Sequence, residues 1–352
     1  MEKKKVKNII LYIFYGAVTI ALLVFILSIN DLDKIIEVVK TADITNLMIA
    51  IGLVLVYLAL YPLTLCFLVK AEKIDIKLRD VYTIGMTEHF FNGITPFSTG
   101  GQPFQIYAFS QKKVKLSNST SLLMMNFVIF MMVTNIFAIC SLFYFDKFIT
   151  NSSMMVIAII GFTMNFLVLF FMIALATSKT IKNGIIWILT KLAKIKFLHK
   201  FLESKITQVN EYIEQTQEAF ASLWKHKLTF VLCFVTRFIT MAIYYSITFF
   251  ILRALHIDIG FEQIFFVISG SAFAITMVVF LPTPGSSGGI EFAFSSIFAA
   301  LAIETTTSAS MGGMLIWRLI TYYLTMLISL IFYIVFEISN RLQKKCLEDK
   351  NQ

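Results

Sequence analysis

The chain has 352 residues, 58% of them apolar and only 14% charged, where soluble domains carry about 25% charged residues. A soluble fold could not cover that much apolar surface, 36 Phe included, with so few charges; lipid as the solvent removes the difficulty. The formal charge of +9 sits in Lys clusters between apolar stretches, where it orients helices and meets anionic headgroups, so no direct nucleic-acid partner is expected. Cys66, Cys140, Cys233 and Cys346 have neither metal nor redox spacing and read as packing residues without a disulfide.

In chain order, MEKKKVKN precedes an apolar run at 9–29. That run is too long for a signal-peptide core and has no small-residue cleavage site, so it reads as a first spanning helix. Further runs long enough to span lie at 47–69, 121–145, 154–176, 228–252 and 310–338. Two more, 81–110 and 262–304, are apolar but interrupted by Pro, Gly, Ser and Thr. Lys3, Lys4, Lys5 and Lys7 hold the N-terminus inside, and the acidic loop 30–46 lies outside. Both flanks of 81–110 are basic (Lys70, Lys73, Lys77 and Arg79 before it, QKKVK after it), so this segment dips in from the cytoplasm and returns. The stretch 178–227 is Lys-rich and cytoplasmic, and the tail NRLQKKCLEDK is basic and inside. Hence 262–304 starts and ends outside and forms a second hairpin from the opposite face.

The expected fold is all-α and polytopic: one transmembrane domain over 1–352 with six spanning helices plus two opposed re-entrant hairpins, about eight hydrophobic segments of inverted-repeat character. Within the cytoplasmic stretch, 179–200 is basic and amphipathic and suits an anionic inner leaflet, while 203–221 reads as a more polar helix. A plain helical linker is the alternative for the whole stretch.

One internal repeat carries the functional reading. Residues 95–104 are TPFSTGGQPF and residues 283–292 are TPGSSGGIEF, sharing T-P-x-S-x-G-G-x-x-F at an offset of 188 in a chain with only 15 Gly and 5 Pro. Each copy lies in one broken segment, the pattern of an inverted-repeat transporter with its site near the midplane. Pro96 and Pro284 stop helices. Gly100, Gly101, Gly288 and Gly289 permit turns and close approach. Freed N–H groups there, with Thr95, Ser98, Thr99, Thr283, Ser286 and Ser287 hydroxyls, suit an anionic group. A tight helix–helix turn packed by small residues is the competing reading.

Ionisable residues inside a bilayer are functional candidates by default. Arg237 lies nine residues into 228–252 and Arg318 eight into 310–338, about 13 and about 12 Å deep from opposite faces at 1.5 Å per residue. Their surroundings match, TRFIT against WRLIT, and Glu291 sits in the second motif. Two arginines against one glutamate leave a net positive site suited to a lipid phosphate, which guanidinium grips in a planar fork. An Arg–Glu structural pair with the other Arg snorkelling is the alternative. Glu88 and His89 read as a polar patch near the cytoplasmic mouth, with a proton-linked pair as the second option. No GxxxxGK[ST] loop, Ser-His-Asp arrangement or zinc spacing occurs, so no catalytic residue, metal or cofactor is expected.

The stretches TPFSTGGQPFQIYAF at 95–109, PTPGSSGGIEFAF at 282–294 and LIWRLITYYL at 315–324 resemble the lysylphosphatidylglycerol synthase transmembrane family, the flippase-like membrane module of the multiple peptide resistance factor. The resemblance covers essentially the whole chain. It implies a multi-pass protein of the bacterial plasma membrane, both termini cytoplasmic, that moves or binds phosphatidylglycerol or its lysyl derivative. It also implies a link to cationic antimicrobial peptide resistance. Its partners would be an anionic phospholipid and the membrane, with a separate synthase or a second copy of the chain as further options. The family's synthases carry a C-terminal domain that transfers lysine from lysyl-tRNA to phosphatidylglycerol. The sequence ends at Gln352 without it, so translocation is the leading expectation and phosphatidylglycerol lysyltransferase, or a membrane subunit of one, the alternative.

Overall fold

The computed structural model describes residues 40–149, 151–195, 199–286, 288–300 and 307–350. The expected first span at 9–29, Ser287 and the end of the second broken segment lie outside the described residues. Among the described residues the chain is helical with no strand.

Helix α1 (Ile44–Leu60) is capped by Asp43, whose side chain accepts from the Thr45 N–H. Pro62 breaks it from α2 (Leu63–Ala71) because its ring cannot continue the hydrogen-bond ladder. Then come α3 (Leu78–Met86), α4 (Glu88–Ile94), a 3₁₀ turn (Pro96–Ser98) and α5 (Gly101–Gln111). Helix α6 (Leu116–Leu142), a short α7 (Phe145–Phe148) and α8 (Ser152–Thr177) follow. The polar stretch forms α9 (Lys179–Leu192) and α10 (His199–Lys225). The second half has α11 (Lys227–Ala254), α12 (Ile264–Val278), a 3₁₀ turn (Pro284–Ser286), α13 (Gly289–Ala300) and α14 (Thr307–Arg318). One π turn (Leu319–Tyr323) leads into α15 (Leu324–Lys350).

Among the described residues six helices are long and apolar enough to cross a membrane: Ile44–Ala71, Leu116–Leu142, Ser152–Thr177, Lys227–Ala254, Phe261–Val278 and Gly313–Gln343. Five match expected spans. The sixth, Phe261–Val278, is the first leg of the segment 262–304, for which the charge pattern had indicated no crossing. Large apolar side chains such as Phe170, Leu228, Phe265 and Ile331 face outward, as they do where lipid is the solvent.

The two halves repeat. Helices α1–α2, the broken pair α3–α4/α5 and α6 recur as α11, α12/α13 and α14–α15 at close to the 188-residue offset of the motifs. They are also inverted. The Asp43 N–H at the start of α1 donates to the Ala254 carbonyl at the end of α11 (2.7 Å). Farther along, Cys233 and Arg237, early in α11, bond to Thr64 in α2. The first broken pair folds back on itself: Lys112, just past α5, lies 3.2 Å from Asp80 in the first turn of α3. Both its legs therefore end at the basic end of the bundle, where Glu72 also meets Ser222 of α10. In the second pair α13 packs beside α12 and reaches α7, at the opposite end.

Helix α8 meets α12 at Gly161, where an added Cβ would overlap the Met277 carbonyl. The backbones touch with no side chain between them, as small residues allow in membrane bundles. Gly161→Leu is expected to lower the Tm in detergent, since overpacking costs about 1–3 kcal/mol. An unchanged Tm would show that the two helices part without cost.

Candidate functional site

The two motif copies turn alike over their first four residues, although Gly288 (φ 87°) departs from its equivalent Gly100 (φ −76°). Thr95 and Thr283 each accept from the N–H of the Ser three residues on (Ser98 at 3.3 Å, Ser286 at 3.0 Å), and Gly100 and Gly288 each start a helix by accepting from a Phe N–H, Phe104 and Phe292. Both tips place two successive residues in the left-handed region: Phe97 and Ser98 at φ 56° and 51°, Gly285 and Ser286 at φ 58° and 53°. Gly285 takes this conformation without steric cost. Phe97 takes it at a cost of roughly 1–2 kcal/mol. The two turns lie against each other, so motifs 188 residues apart meet in the interior.

The expected anion cradle of freed N–H groups is filled from within. Gly100 N–H donates to Thr95 Oγ1 and Gly101 N–H to Asn92 Oδ1, both at 2.8 Å. Gly288 N–H donates to Glu291 Oε2 at 2.6 Å, a reach-back from the third helical position like that of a capping box.

Arg318 is the hub of the second tip. Its Nε donates to Glu291 Oε1 (3.0 Å), its Nη1 to the Gly285 carbonyl (2.8 Å), and its Nη2 lies 2.9 Å from Glu291 Oε1. It is 4% exposed, and Nη2 makes no well-aligned hydrogen bond. The π turn immediately after it carries Tyr322, whose ring lies 5.1 Å from the guanidinium and whose hydroxyl donates to the Gly93 carbonyl (2.8 Å). Arg237, 1% exposed, lies apart from that cluster. Its Nη2 donates to Thr64 Oγ1 (2.6 Å) and Asn126 Oδ1 (2.8 Å), and its guanidinium stacks 4.3 Å from the Tyr61 ring. The matched TRFIT and WRLIT share a helical detail, as Thr240 and Thr321 both bond back to the carbonyl four residues earlier.

A cavity of about 650 Å³ opens between the tips. Ser98 and Ser286 line it, as do Arg318, Trp317 and Tyr322. Thr95, Gly100, Gly101, Thr283, Gly288, Gly289 and Glu291 shape the tips behind this surface, and Arg237 lies behind Tyr61 and Asn126. Glu88 and His89, expected as a patch near the mouth, are in the wall. Glu88 accepts from Gln105 Nε2 at 3.3 Å, and the His89 ring is 4.3 Å from that of Tyr61. With Glu88 included, the charges in and behind the cavity wall are two arginines and two carboxylates, so the net positive site expected from sequence becomes a balanced one. The wall continues through α6, α8 and α11 to Tyr212 of α10, at the basic end. Towards the other end Phe148, Phe162, Phe266 and Phe273 close ranks, with ring centroids 5.1 to 5.2 Å apart.

Buried polar atoms without partners concentrate here. They belong to His89, Gln105, Arg237, Trp317, Arg318 and Thr325, and all but Arg237 line the cavity. Arg237 Nε and Nη1, Trp317 Nε1, Arg318 Nη2 and the Thr325 hydroxyl can all donate, whereas Gln105 Oε1 only accepts. No cluster of metal-binding type occurs among the described residues.

Residues 12–329 match the family described as "Lysylphosphatidylglycerol synthase TM region". The chain belongs to that family. It is a multi-pass membrane protein, and the family points to a lipid-related function. Neither a comparison with curated proteins nor one with solved structures finds a match.

Sequence reasoning missed Ser329, which lies on a smooth apolar stretch of α15. Its hydroxyl donates to the Met86 carbonyl (2.6 Å) and accepts from the Phe90 N–H (2.8 Å), closing the break between α3 and α4. Ser329→Ala leaves that N–H unpaired and is expected to cost about 1–3 kcal/mol. Faster amide exchange at Phe90 together with a lower Tm is the result that checks it.

Proposed function

We propose that the protein is a phospholipid translocase that holds a lipid headgroup in the central cavity while the acyl chains stay in the bilayer. The observation that carries this reading is the donor-rich cavity between two opposed, repeated tips. A phosphate is the acceptor-rich group that the Arg318 Nη2, Trp317 Nε1 and Thr325 hydroxyl donors suit. The volume falls within the roughly 300–1,000 Å³ of small-molecule sites, enough for a headgroup but not for a whole lipid. The Glu88 carboxylate across the cavity suits a headgroup that also carries an ammonium. Phosphatidylglycerol and its lysyl derivative are the lipids the family suggests. The two broken pairs are read as re-entrant hairpins entering from opposite faces, with alternate exposure of the cavity to each leaflet. Because its wall runs to Tyr212, the cavity is read as facing the basic end, which the positive-inside rule assigns to the cytoplasm of a bacterial plasma membrane, with both termini on that side.

The test is leaflet exchange of fluorescent phosphatidylglycerol and lysylphosphatidylglycerol in proteoliposomes. Arg318→Lys keeps the charge facing Glu291 but loses the planar fork. It is expected to slow exchange about tenfold or more, equivalent to about 1.4 kcal/mol, while leaving the folded yield intact. Exchange at the wild-type rate in Arg318→Lys and in Glu291→Gln would overturn the site. If folded wild-type protein exchanges neither lipid but forms lysyl-lipid from lysyl-tRNA, the transferase reading replaces this one.

A further inference from the structure

We propose that α9 is an anionic-lipid binding element that lies flat on one leaflet and seats the cavity wall formed by α10. Helix α9 starts where the span Ser152–Thr177 stops, with Ser178 both ending one helix and capping the next (Ile181 N–H to Ser178 Oγ, 3.3 Å). The chain leaves no linker between them. The helix must therefore lie at the boundary that the span has just reached, and the extended backbone of Ser178 turns it aside (φ −106°, ψ 112°).

The two faces of α9 differ. Ile181, Ile185, Ile186 and Leu189 are half-buried, and α9 packs on α10. Ile188 and Leu192, seven and eleven residues on from Ile181, continue that apolar stripe at its exposed edge, and Trp187 is exposed beyond Lys191 from them. Lysines stand among these exposed side chains: Lys179, Lys191 and Lys194 are exposed and make no ion pair among the described residues, and Lys191 Nζ sits 5.4 Å from the Trp187 ring. From 178 to 202 the sequence has six Lys and not one Asp or Glu. Exposed apolar side chains interspersed with cations are complementary to an anionic bilayer surface, with Trp at headgroup depth and lysines reaching phosphates. A protein partner would need a carboxylate-rich face around a greasy groove, and nothing described in this chain offers one.

Lys182 points the other way and grips Glu214 of α10 at 2.7 Å. One helical turn round the same helix, Gln217 Nε2 donates to the Leu175 carbonyl of α8 and Tyr212 stands in the cavity wall. What holds α9 to the leaflet therefore also holds α10 against the bundle.

The experiment uses the full chain in nanodiscs, taking the Trp187 signal as the difference between wild type and Trp187→Phe. Three bilayers are compared: phosphatidylcholine alone, and equal mixtures of it with phosphatidylserine or with phosphatidylglycerol. Trp187 is expected to be quenched by brominated acyl chains about twofold more in both anionic bilayers than in the neutral one, and added salt should reduce the difference. The triple variant Lys179→Gln, Lys191→Gln, Lys194→Gln should lose it. A gain with phosphatidylglycerol but not phosphatidylserine would overturn the surface reading, since it would reflect headgroup binding in the cavity. Equal quenching by aqueous iodide in all three bilayers would overturn it too, as would protection that rises with the number of copies per disc.

Discussion

A backbone N–H or C=O left bare in hydrocarbon costs several kcal/mol, and this chain breaks its helices twice in the middle of the bundle. Everything around the tips answers that cost. Ser329 serves both sides of the break at Thr87, Tyr322 takes the Gly93 carbonyl, and Arg318 takes that of Gly285. All three lie within one stretch at the π turn and the start of α15. The last long helix thus braces both tips, one from each half of the chain. A π turn adds one residue to the spiral and resets its face, and here it falls between Arg318, aimed at the second tip, and Ser329, aimed at the first.

Duplication explains the scaffold but not the chemistry. At the 188-residue offset Glu291 corresponds to Pro103, Glu88 to Thr276 and Arg318 to Phe130. Each tip still has one carboxylate, placed on the second leg in one case and the first in the other. Each carboxylate has an arginine in its neighbourhood, and both arginines come from the second half. The repeated backbone turns build a cavity between like surfaces. The diverged side chains make its two ends unlike, which a headgroup with distinct poles would exploit under the proposed reading.

Local and periodic features were legible in the sequence. The repeated T-P-x-S-x-G-G-x-x-F pointed to a duplication, and Thr95–Ser98 and Thr283–Ser286 turn alike, although Gly288 (φ 87°) departs from its equivalent Gly100 (φ −76°). Counting residues from the helix start put Arg237 and Arg318 deep, and both are buried. Depth along a helix says nothing about which side chains lie opposite. Arg237 meets Thr64 and Asn126, 173 and 111 residues away, and no spacing rule pairs them. The same limit hid Ser329, 239 residues from Phe90. Glu88 was placed by its distance from the basic loop, but the break at Thr87 re-aims α4 so that its first turn reaches the cavity. Net charge failed for the same reason, because the fourth charge came from a residue assigned elsewhere.

The pairing of Arg318 with Glu291 bears on what kind of binding the cavity can offer. A bare guanidinium in a buried site would hold a phosphate tightly and release it slowly. Here the guanidinium is already neutralised and keeps only Nη2 without an aligned acceptor. Under the proposed reading, an incoming phosphate would meet a dipole, add one charge-assisted bond and share the arginine with a carboxylate that repels it. Such binding would be favourable enough to admit a headgroup and weak enough to let it go, the balance that the proposed passage requires. The same carboxylate holds the Gly288 N–H, so any shift of Arg318 towards a ligand loosens the start of α13. Under that reading, occupancy of the cavity and the shape of the second tip would be linked through a single side chain, Glu291, and a headgroup that drew Arg318 away would act directly on the second turn.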